Sequence, residues 1–170
     1  MQVVRADARI TLILGGARSG KSRLAEQLAA EHKGDLAYIA TGQAFDDEMR
    51  ARIAEHAARR GPRWRTIETP LDIAIPSDAG AVLIDCLTLW LSNIMHAGRD
   101  VAVETARLTT ALQAATVPVL LVSNEVGLGI VPENKLARDF RDHQGRVNQA
   151  VAAVADHVIF TAAGLPLVLK

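Results

Sequence analysis

The sequence predicts an α/β fold in which helices connect the strands of a mostly parallel sheet. Short apolar runs typical of buried strands alternate along the chain with segments that have the period of amphipathic helices. A glycine-rich turn follows the first apolar run and opens the first helical segment, which is the setting that a phosphate-binding turn requires. These patterns predict a central sheet with helices on both of its faces.

The first half of the chain contains four predicted strands. The first runs from Ile10 to Leu14 and is followed, after the glycine turn, by a helix from about Lys21 to Ala30. The segment LAYIAT is the second strand, WRTIE the third and AVLID the fourth. Between the second and third strands, DDEMRARIAEHAARR begins with acids and ends with arginines. These charges match the helix dipole and favour a helix over residues 46–60.

The second half continues the same alternation. A leucine-rich helix is predicted from Leu87, and VAVETARLTTALQAA is predicted as another helix. PVLLVS is the fifth strand and is apolar enough to be covered on both faces. Residues 124–132 are expected to form a loop, followed by two separate helical segments around KLARDFRD and GRVNQAVAAVA. The strand HVIFTA, a turn at Gly164 to Pro166 and a last short strand form a predicted C-terminal hairpin.

Composition restricts the class of function. A chain of 170 residues with 49% hydrophobic content is predicted to be one domain with one sizeable core. Its 19 basic and 19 acidic side chains cancel, so no net field attracts nucleic acid or an anionic membrane, and we expect small molecules or further copies of the chain as partners. No segment approaches the roughly 20 apolar residues that span a bilayer. The single cysteine, Cys86, lies in an apolar run and is expected to pack in the core of a soluble protein of a reducing cytoplasm.

The segment GGARSGKS matches the phosphate-binding pattern G-x-x-x-x-G-K-[ST] between a predicted strand and a predicted helix. Glycines let the backbone approach phosphate oxygens, the helix start supplies N–H donors, the lysine spreads negative charge and the serine can ligate Mg²⁺. The alternative is an ordinary glycine turn. The nucleotide-binding residues predicted here are Gly15, Gly16, Ala17, Arg18, Ser19, Gly20, Lys21 and Ser22.

Asp85 ends the buried strand AVLID and is the candidate for a second Mg²⁺ ligand. Acids also end strands as caps of the following helix, and this alternative stays open. Together the two motifs predict a nucleoside triphosphate with Mg²⁺, which many unrelated activities share.

A histidine among arginines is the sharpest catalytic hypothesis. In a helix over 46–60, Arg52, Arg59 and Arg60 lie three or four residues from His56 and so are its neighbours. Such a ring favours a neutral imidazole that could attack phosphorus. The alternative is a histidine that packs beside apolar neighbours while the arginines form a solvated face. An RNA-binding role for this arginine-rich stretch is disfavoured by the zero net charge and by the acids at the helix start.

The remaining histidines and Glu125 carry weaker signals. Glu125 follows the fifth strand, where open parallel sheets place functional side chains, and it is either a site residue or a loop stabiliser. The other four histidines share no spacing of a metal site and are expected to be structural or surface residues: His32, His96, His143 and His157.

Several segments together resemble one family. They are GGARSGKS, YIATGQAFDDEMRARIAEH with WRT after it, LIDCLTLWLSN, and SNEVGLGIVPENKLARDFRDHQGRVNQAVA. They are similar to the bifunctional adenosylcobinamide kinase and adenosylcobinamide-phosphate guanylyltransferase family. The resemblance runs from about residue 10 to the C-terminus, which implies a domain over residues 10–170 and an extension over residues 1–9.

The resemblance implies a single P-loop domain related to RecA-like ATPases that assembles as a trimer. It implies two reactions: transfer of the γ-phosphoryl of ATP or GTP to adenosylcobinamide, and transfer of GMP from GTP to the resulting phosphate through a histidine-bound intermediate. The family's nucleophilic histidine matches His56, the only histidine between DDEM and WRT. Further nucleotide contacts matched in this way are Thr41, Gly42, Gln43, Ala57, Ala58, Arg59, Arg60, Glu68 and Asp85.

Two alternative functions remain. One is a small-molecule kinase without guanylyl transfer, in which His56 only packs. The other is a nucleotide-dependent switch or assembly protein, which would hydrolyse nucleotide slowly and bind a protein partner.

Overall fold

The computed structural model describes residues 4–42 and 60–170, which build a seven-stranded sheet with helices on both faces. The strands are β1 (Ile10–Gly15), β2 (Leu36–Ala40), β3 (Trp64–Glu68), β4 (Ala81–Asp85), β5 (Val119–Asn124), β6 (His157–Ala162) and β7 (Leu165–Val168). The helices of the described residues are α1 (Lys21–Ala30), α2 (Leu87–His96), α3 (Val101–Ala114) and α4 (Lys135–Val154).

The strand order in the sheet is β3-β2-β4-β5-β1-β6-β7. Every neighbouring pair is parallel except β6 and β7, which form an antiparallel hairpin at one edge. The predicted α/β class, the mostly parallel sheet and the C-terminal hairpin are therefore confirmed. Because β1 lies between β5 and β6, the turn that follows β1 opens near the middle of the sheet's carboxyl edge.

Each face of the sheet has its own apolar core. On one face, α1 packs through Ala25, Leu28 and Ala29 against alternate residues of the central strands. On the other face, α2, α3 and α4 cover the remaining alternate residues. Strands β4 and β5 are buried along nearly their whole length because helices cover them from both sides.

The prediction of two separate helical segments after the long loop was wrong. The structure has one helix, α4, that continues through Gly145. A glycine inside a helix costs only about 1 kcal/mol relative to alanine. The buried residues of α4, Gln144, Val147, Asn148 and Val151, keep one helical spacing across the glycine, so packing of this face holds the helix together.

Residues 4–9 pack against the domain. The backbone N–H of Arg5 donates to Nε2 of His157 at 3.3 Å, and the N–H of Val119 donates to the carbonyl of Arg9 at 2.7 Å. Val4 and Ala6 contact the core on the α1 face. The helix predicted over residues 46–60 lies, apart from Arg60, outside the described residues. Among the helices of the described residues, none is both long and apolar enough to cross a membrane.

Candidate active site

The carboxyl edge of the sheet brings the predicted site residues together. Strands β2, β4, β5 and β1 are consecutive neighbours, and their carboxyl ends all lie at this edge. In register, Asp85 aligns with Ala40 of β2 and Val122 of β5, and Gly15 aligns with Asn124. Open parallel sheets bind ligands outside this edge, so it is the candidate active site.

The P-loop, residues 15–22, connects β1 to α1 through a backbone that two glycines allow. A Cβ on Gly15 would lie 2.5 Å from the carbonyl oxygen of Thr161, so only glycine fits there. Gly20 is the N-cap residue of α1 and has a φ of 96°, which favours glycine. The turn of the β6–β7 hairpin supports the loop, since the N–H of Gly164 donates to the carbonyl of Ser19 at 2.9 Å.

Lys21 begins α1 and folds back over the loop, where its Nζ donates to the carbonyl of Gly16 at 3.1 Å. The first N–H groups of a helix have no partner within the helix, and Gly20 supplies no side-chain cap. This helix start therefore combines backbone donors, the positive end of the helix dipole and a lysine. Half-buried Ser22 lies in the same first turn. The arrangement is suited to binding a chain of phosphates.

Asp85, at the end of β4, is paired with a buried tyrosine. The hydroxyl of Tyr38 donates to Oδ2 of Asp85 at 3.2 Å. Burial and then the negative charge of Asp85 raise the pKa of Tyr38 well above its usual range, so its hydroxyl stays protonated and remains a donor. The guanidinium of Arg60 lies over the Tyr38 ring, with its Cζ 3.6 Å from the ring centre.

The donor set at this edge fits Mg²⁺. The ion prefers oxygen ligands and keeps several of its waters, so one carboxylate and one hydroxyl suffice on the protein side. Asp85 supplies the carboxylate at the carboxyl edge, and Ser22 supplies the hydroxyl in the first turn of α1. Within the described residues, no cluster of three or more histidine, cysteine, aspartate or glutamate side chains could hold a metal.

Thr41 joins the ends of β2 and β4. Its hydroxyl donates to the carbonyl of Cys86 at 2.7 Å and accepts from the Cys86 N–H at 2.9 Å, and the residue is fully buried. Asn93 of α2 donates to the Thr41 carbonyl at 2.8 Å. Gly42 follows, and a Cβ there would lie 3.1 Å from Leu89. Glu68 is exposed at the end of β3, aligned with Ala40.

Five predicted site residues lie outside the described part of the chain: Gln43, His56, Ala57, Ala58 and Arg59. Their roles remain predictions. Arg60 is the first described residue after this segment, and its guanidinium lies over the ring of Tyr38, whose hydroxyl donates to Asp85 at the carboxyl edge.

The four other histidines take structural or surface positions. His157 is buried, and it accepts from the Arg5 N–H and donates through Nδ1 to the carbonyl of Lys170 at 2.7 Å. His96 is exposed at the end of α2, and His32 and His143 are half-buried. A carboxylate oxygen of Glu125 accepts from the N–H of Gly127, a contact within its own loop.

Sequence reasoning missed two residues of this edge, Tyr38 and Asn124. The signal for Tyr38 was a lone tyrosine inside an apolar strand, because a buried hydroxyl needs a partner. Asn124 was assigned to a loop, whereas it is the last residue of β5. The amide that ends a buried strand was a signal comparable to that of Asp85.

Comparisons of the sequence with a family model and with curated proteins agree on one family. A family model described as cobinamide kinase / cobinamide phosphate guanyltransferase matches residues 11–169. The bifunctional adenosylcobalamin biosynthesis protein CobP of Pseudomonas aeruginosa is 51% identical over 166 residues, which covers 94% of this chain and 96% of that protein. The bifunctional adenosylcobalamin biosynthesis protein CobU of Salmonella typhimurium is 43% identical, covering 94% of this chain and 98% of that protein.

Solved structures support the fold. A prototypical ATPase from the type III secretion system of pathogenic bacteria has a TM-score of 0.57 at 12% identity, covering 94% of this chain and 56% of that one. The flagellar accessory protein FlaH from Methanocaldococcus jannaschii has a TM-score of 0.54 at 14% identity, covering 95% of this chain and 78% of that one. At these identities the likeness concerns the fold alone.

Proposed function

The chain belongs to the cobinamide kinase / cobinamide phosphate guanyltransferase family, and from that premise we propose how one site at its carboxyl edge carries out both reactions. It is a bifunctional transferase of adenosylcobalamin biosynthesis. The observation that carries the proposal is that the P-loop, Asp85 and Arg60 lie at the same edge of the sheet. Arg60 matters because it follows, in the sequence, the segment that contains His56.

In the kinase reaction, the hydroxyl oxygen of the aminopropanol arm of adenosylcobinamide attacks the γ-phosphorus of ATP or GTP. A P–O bond forms to the acceptor, the hydroxyl proton is released to water, the bond to the β-phosphate oxygen breaks, and the nucleoside diphosphate leaves. The backbone of residues 15–20 and Lys21 hold the phosphates and offset their charge. Ser22 and Asp85 would hold Mg²⁺, which neutralises charge that develops on the phosphates.

In the guanylyltransferase reaction, a ring nitrogen of His56 attacks the α-phosphorus of GTP and pyrophosphate leaves. A phosphate oxygen of adenosylcobinamide phosphate then attacks the same phosphorus, the P–N bond breaks and adenosylcobinamide-GDP forms. Neighbouring cations favour the neutral imidazole and offset the charge that gathers on the phosphate. Arg59 and Arg60 follow His56 by three and four residues in the sequence, and we assign this task to them.

We assign the remaining nucleotide contacts to Thr41, Gly42, Gln43, Ala57, Ala58 and Glu68. The hydroxyl of Thr41 already bonds to Cys86, so its contribution to a nucleotide would be to fix the turn after β2 rather than to donate directly. Glu68 is an exposed acceptor that could bind N–H groups of a guanine.

Incubation with α-labelled GTP and Mg²⁺ tests the guanylyl step. We expect acid-labile, base-stable label on the wild-type protein, because a P–N bond has this stability. His56→Ala should lose the label and GMP transfer but keep phosphorylation of adenosylcobinamide, which needs no covalent intermediate. His96→Ala, which replaces an exposed histidine of α2, is the matched control and should keep both activities.

Other outcomes discriminate the alternatives. Stable label on a folded His56→Ala protein would show that another residue is the nucleophile. Acceptor phosphorylation without any label on the wild-type protein would favour a plain kinase. Slow hydrolysis with no dependence on adenosylcobinamide would favour a nucleotide-dependent switch.

We also propose that the enzyme works in the cytoplasm as a homotrimer. Several large apolar side chains, including Leu128 and Ile130 of the loop after β5, are exposed on the single chain and would be covered by further copies. Light scattering should then give three times the chain mass of 18.2 kDa. A mass equal to that of the single chain at micromolar concentration would refute the trimer.

A further inference from the structure

Tyr38 is a buried residue in the middle of β2, and its side chain reaches the carboxyl edge of the sheet. It aligns with Leu83 of β4, and Asp85 follows Leu83 by two residues, so Tyr38 and Asp85 belong to the same face. Ala40 aligns with Asp85, and its short side chain does not block the path from the ring to the carboxylate. The tyrosine hydroxyl therefore meets Asp85, although the two residues are not partners in the sheet register.

The ring of Tyr38 makes two further contacts. The guanidinium of Arg60 lies over the ring, and Trp64 of β3 packs edge-on against it with the ring centres 6.4 Å apart. An aromatic face attracts a cation through its π electrons, and more strongly where water is excluded. Because Tyr38 is only 7% exposed, a largely buried ring supports the guanidinium.

Arg60 keeps a hydrogen-bond donor for a ligand. Its Nη1 is buried and makes no hydrogen bond within the part of the chain that the structure describes. An aromatic face attracts the guanidinium without using its N–H groups, so the contact with Tyr38 holds the cation and leaves donors for a phosphate.

Tyr38 thus contacts two side chains to which different tasks are assigned. Asp85 is the candidate Mg²⁺ ligand, and Arg60 is assigned to the charge that gathers in guanylyl transfer. We propose that Tyr38 is a positioning residue for both: its hydroxyl orients the carboxylate of Asp85 towards the cation, and its ring holds Arg60 for the attack on the α-phosphorus. This inference rests on the proposed function of Asp85 and Arg60. Tyr38 acts through these two side chains and takes no part in the bonds that form and break.

Tyr38→Phe tests the hydroxyl, because it removes one oxygen and keeps the ring under Arg60. The Mg²⁺ concentration for half-maximal adenosylcobinamide phosphorylation should rise about tenfold, since Asp85 loses a hydrogen bond that orients it. At saturating Mg²⁺, the kcat of phosphorylation and the rate of labelling by α-labelled GTP should stay within about twofold of wild type, because the ring remains.

Tyr38→Leu tests the ring, because it removes the hydroxyl and the aromatic face together. It should show the same change in Mg²⁺ dependence and, in addition, a labelling rate at saturating Mg²⁺ about tenfold below that of wild type. If the ring acts through Arg60, the two effects are not additive. Tyr38→Leu added to an Arg60→Ala protein should then reduce the labelling rate no further.

Trp90→Phe is the matched control, because it removes another hydrogen bond of a buried aromatic side chain, from Nε1 to the carbonyl of Leu71 at 2.8 Å. Trp90 packs in the core on the other face of the sheet. This variant should have a lower Tm but wild-type Mg²⁺ dependence and labelling, so a general loss of stability cannot reproduce the effects expected of the Tyr38 variants.

Three results would overturn the inference. The first is wild-type Mg²⁺ dependence in Tyr38→Phe. The second is an equal labelling rate of Tyr38→Phe and Tyr38→Leu at saturating Mg²⁺. The third is a further loss of labelling when Tyr38→Leu is added to Arg60→Ala, which would show that the ring acts on another part of the protein. If instead the wild-type protein takes no label from GTP or does not phosphorylate adenosylcobinamide, the proposed function itself fails.

Discussion

At the residue scale, the sequence left two roles open for Asp85, a ligand of Mg²⁺ or a cap of the following helix, and the structure bears on this choice. The N-cap residue of α2 is Cys86, so Asp85 does not occupy the position expected of a helix cap. Its Oδ2 instead accepts from Tyr38, a hydroxyl that burial keeps protonated. This hydrogen bond fixes the carboxylate at the edge where a cation bound to phosphates would lie.

Asp85→Asn should therefore lower the rate of the Mg²⁺-dependent kinase on the order of 100-fold, since the amide keeps the packing but loses the charge. The Tm should change little. Steady-state rates over a Mg²⁺ titration check this. Asp72→Asn, an exposed acid that pairs with Arg99, is the control and should keep the wild-type rate. Unchanged rates in Asp85→Asn would reduce Asp85 to a structural role.

Cys86 gives a prediction with a defined pH dependence. Burial, with a smaller effect of Asp85, raises the pKa of this thiol from its ordinary value of 9.0 to about 11. The folded state therefore binds the proton more tightly than the unfolded state. The stabilisation is fully present below pH 9 and is lost as pH rises from 9 through 11.

Since the thiolate is the reactive form, a thiol reagent at pH 8 should modify folded protein far more slowly than unfolded protein. The chain has one cysteine, so the signal has one source. Rapid modification of the folded protein would contradict the burial of Cys86.

At the element scale, a glycine is required in the P-loop but not in α4. A Cβ on Gly145 would meet no atom within 4 Å outside its own helix turn, so this glycine only lowers helix propensity. A Cβ on Gly15 would collide with the backbone of β6. The helix tolerates its glycine, and the loop requires its own.

Gly145→Ala should raise the free energy of unfolding by about 0.5–1 kcal/mol because alanine restricts the unfolded chain and favours the helix. Urea denaturation measures this change. Gly15→Ala, the same substitution in the P-loop, should be destabilising and should weaken nucleotide binding. A loss of stability in Gly145→Ala would indicate a contact of this position that the single chain does not contain.

At the scale of the whole molecule, we propose that one P-loop serves both reactions, so nucleotide binding and folding should be linked. A ligand that binds only the folded state at a hundredfold excess over its Kd stabilises by about 2.7 kcal/mol. For a chain of this size, that is an increase in Tm of roughly 5–10 °C.

Lys21→Ala should abolish both activities and most of this increase in Tm with Mg²⁺-GTP, because the loop loses the charge that faces the phosphates. Thermal denaturation with and without nucleotide measures the effect. Lys135→Ala, at an exposed lysine of α4 that pairs with Asp139, should keep the increase. Wild-type rates in Lys21→Ala would exclude residues 15–22 as the phosphate site.

The sequence alone was sufficient to predict the fold class and most strand positions. WRTIE, AVLID and HVIFTA are strands with the predicted bounds, and the phosphate-binding pattern does connect β1 to α1. These features depend on local physical preferences, namely the alternation of apolar residues and the freedom of glycine, which a short segment carries by itself. The family was also recognisable from segments of the chain, and the comparisons confirm it.

Only the tertiary structure decided which side chains meet. Tyr38 and Asp85 are 47 residues apart, and Asn124 is beside Gly15 because β5 inserts between β4 and β1. The continuity of α4 through Gly145 likewise depends on the surface against which its buried face packs. Such contacts arise from strand order and packing between distant segments, and the local periodicity that defines each strand or helix does not specify its neighbours.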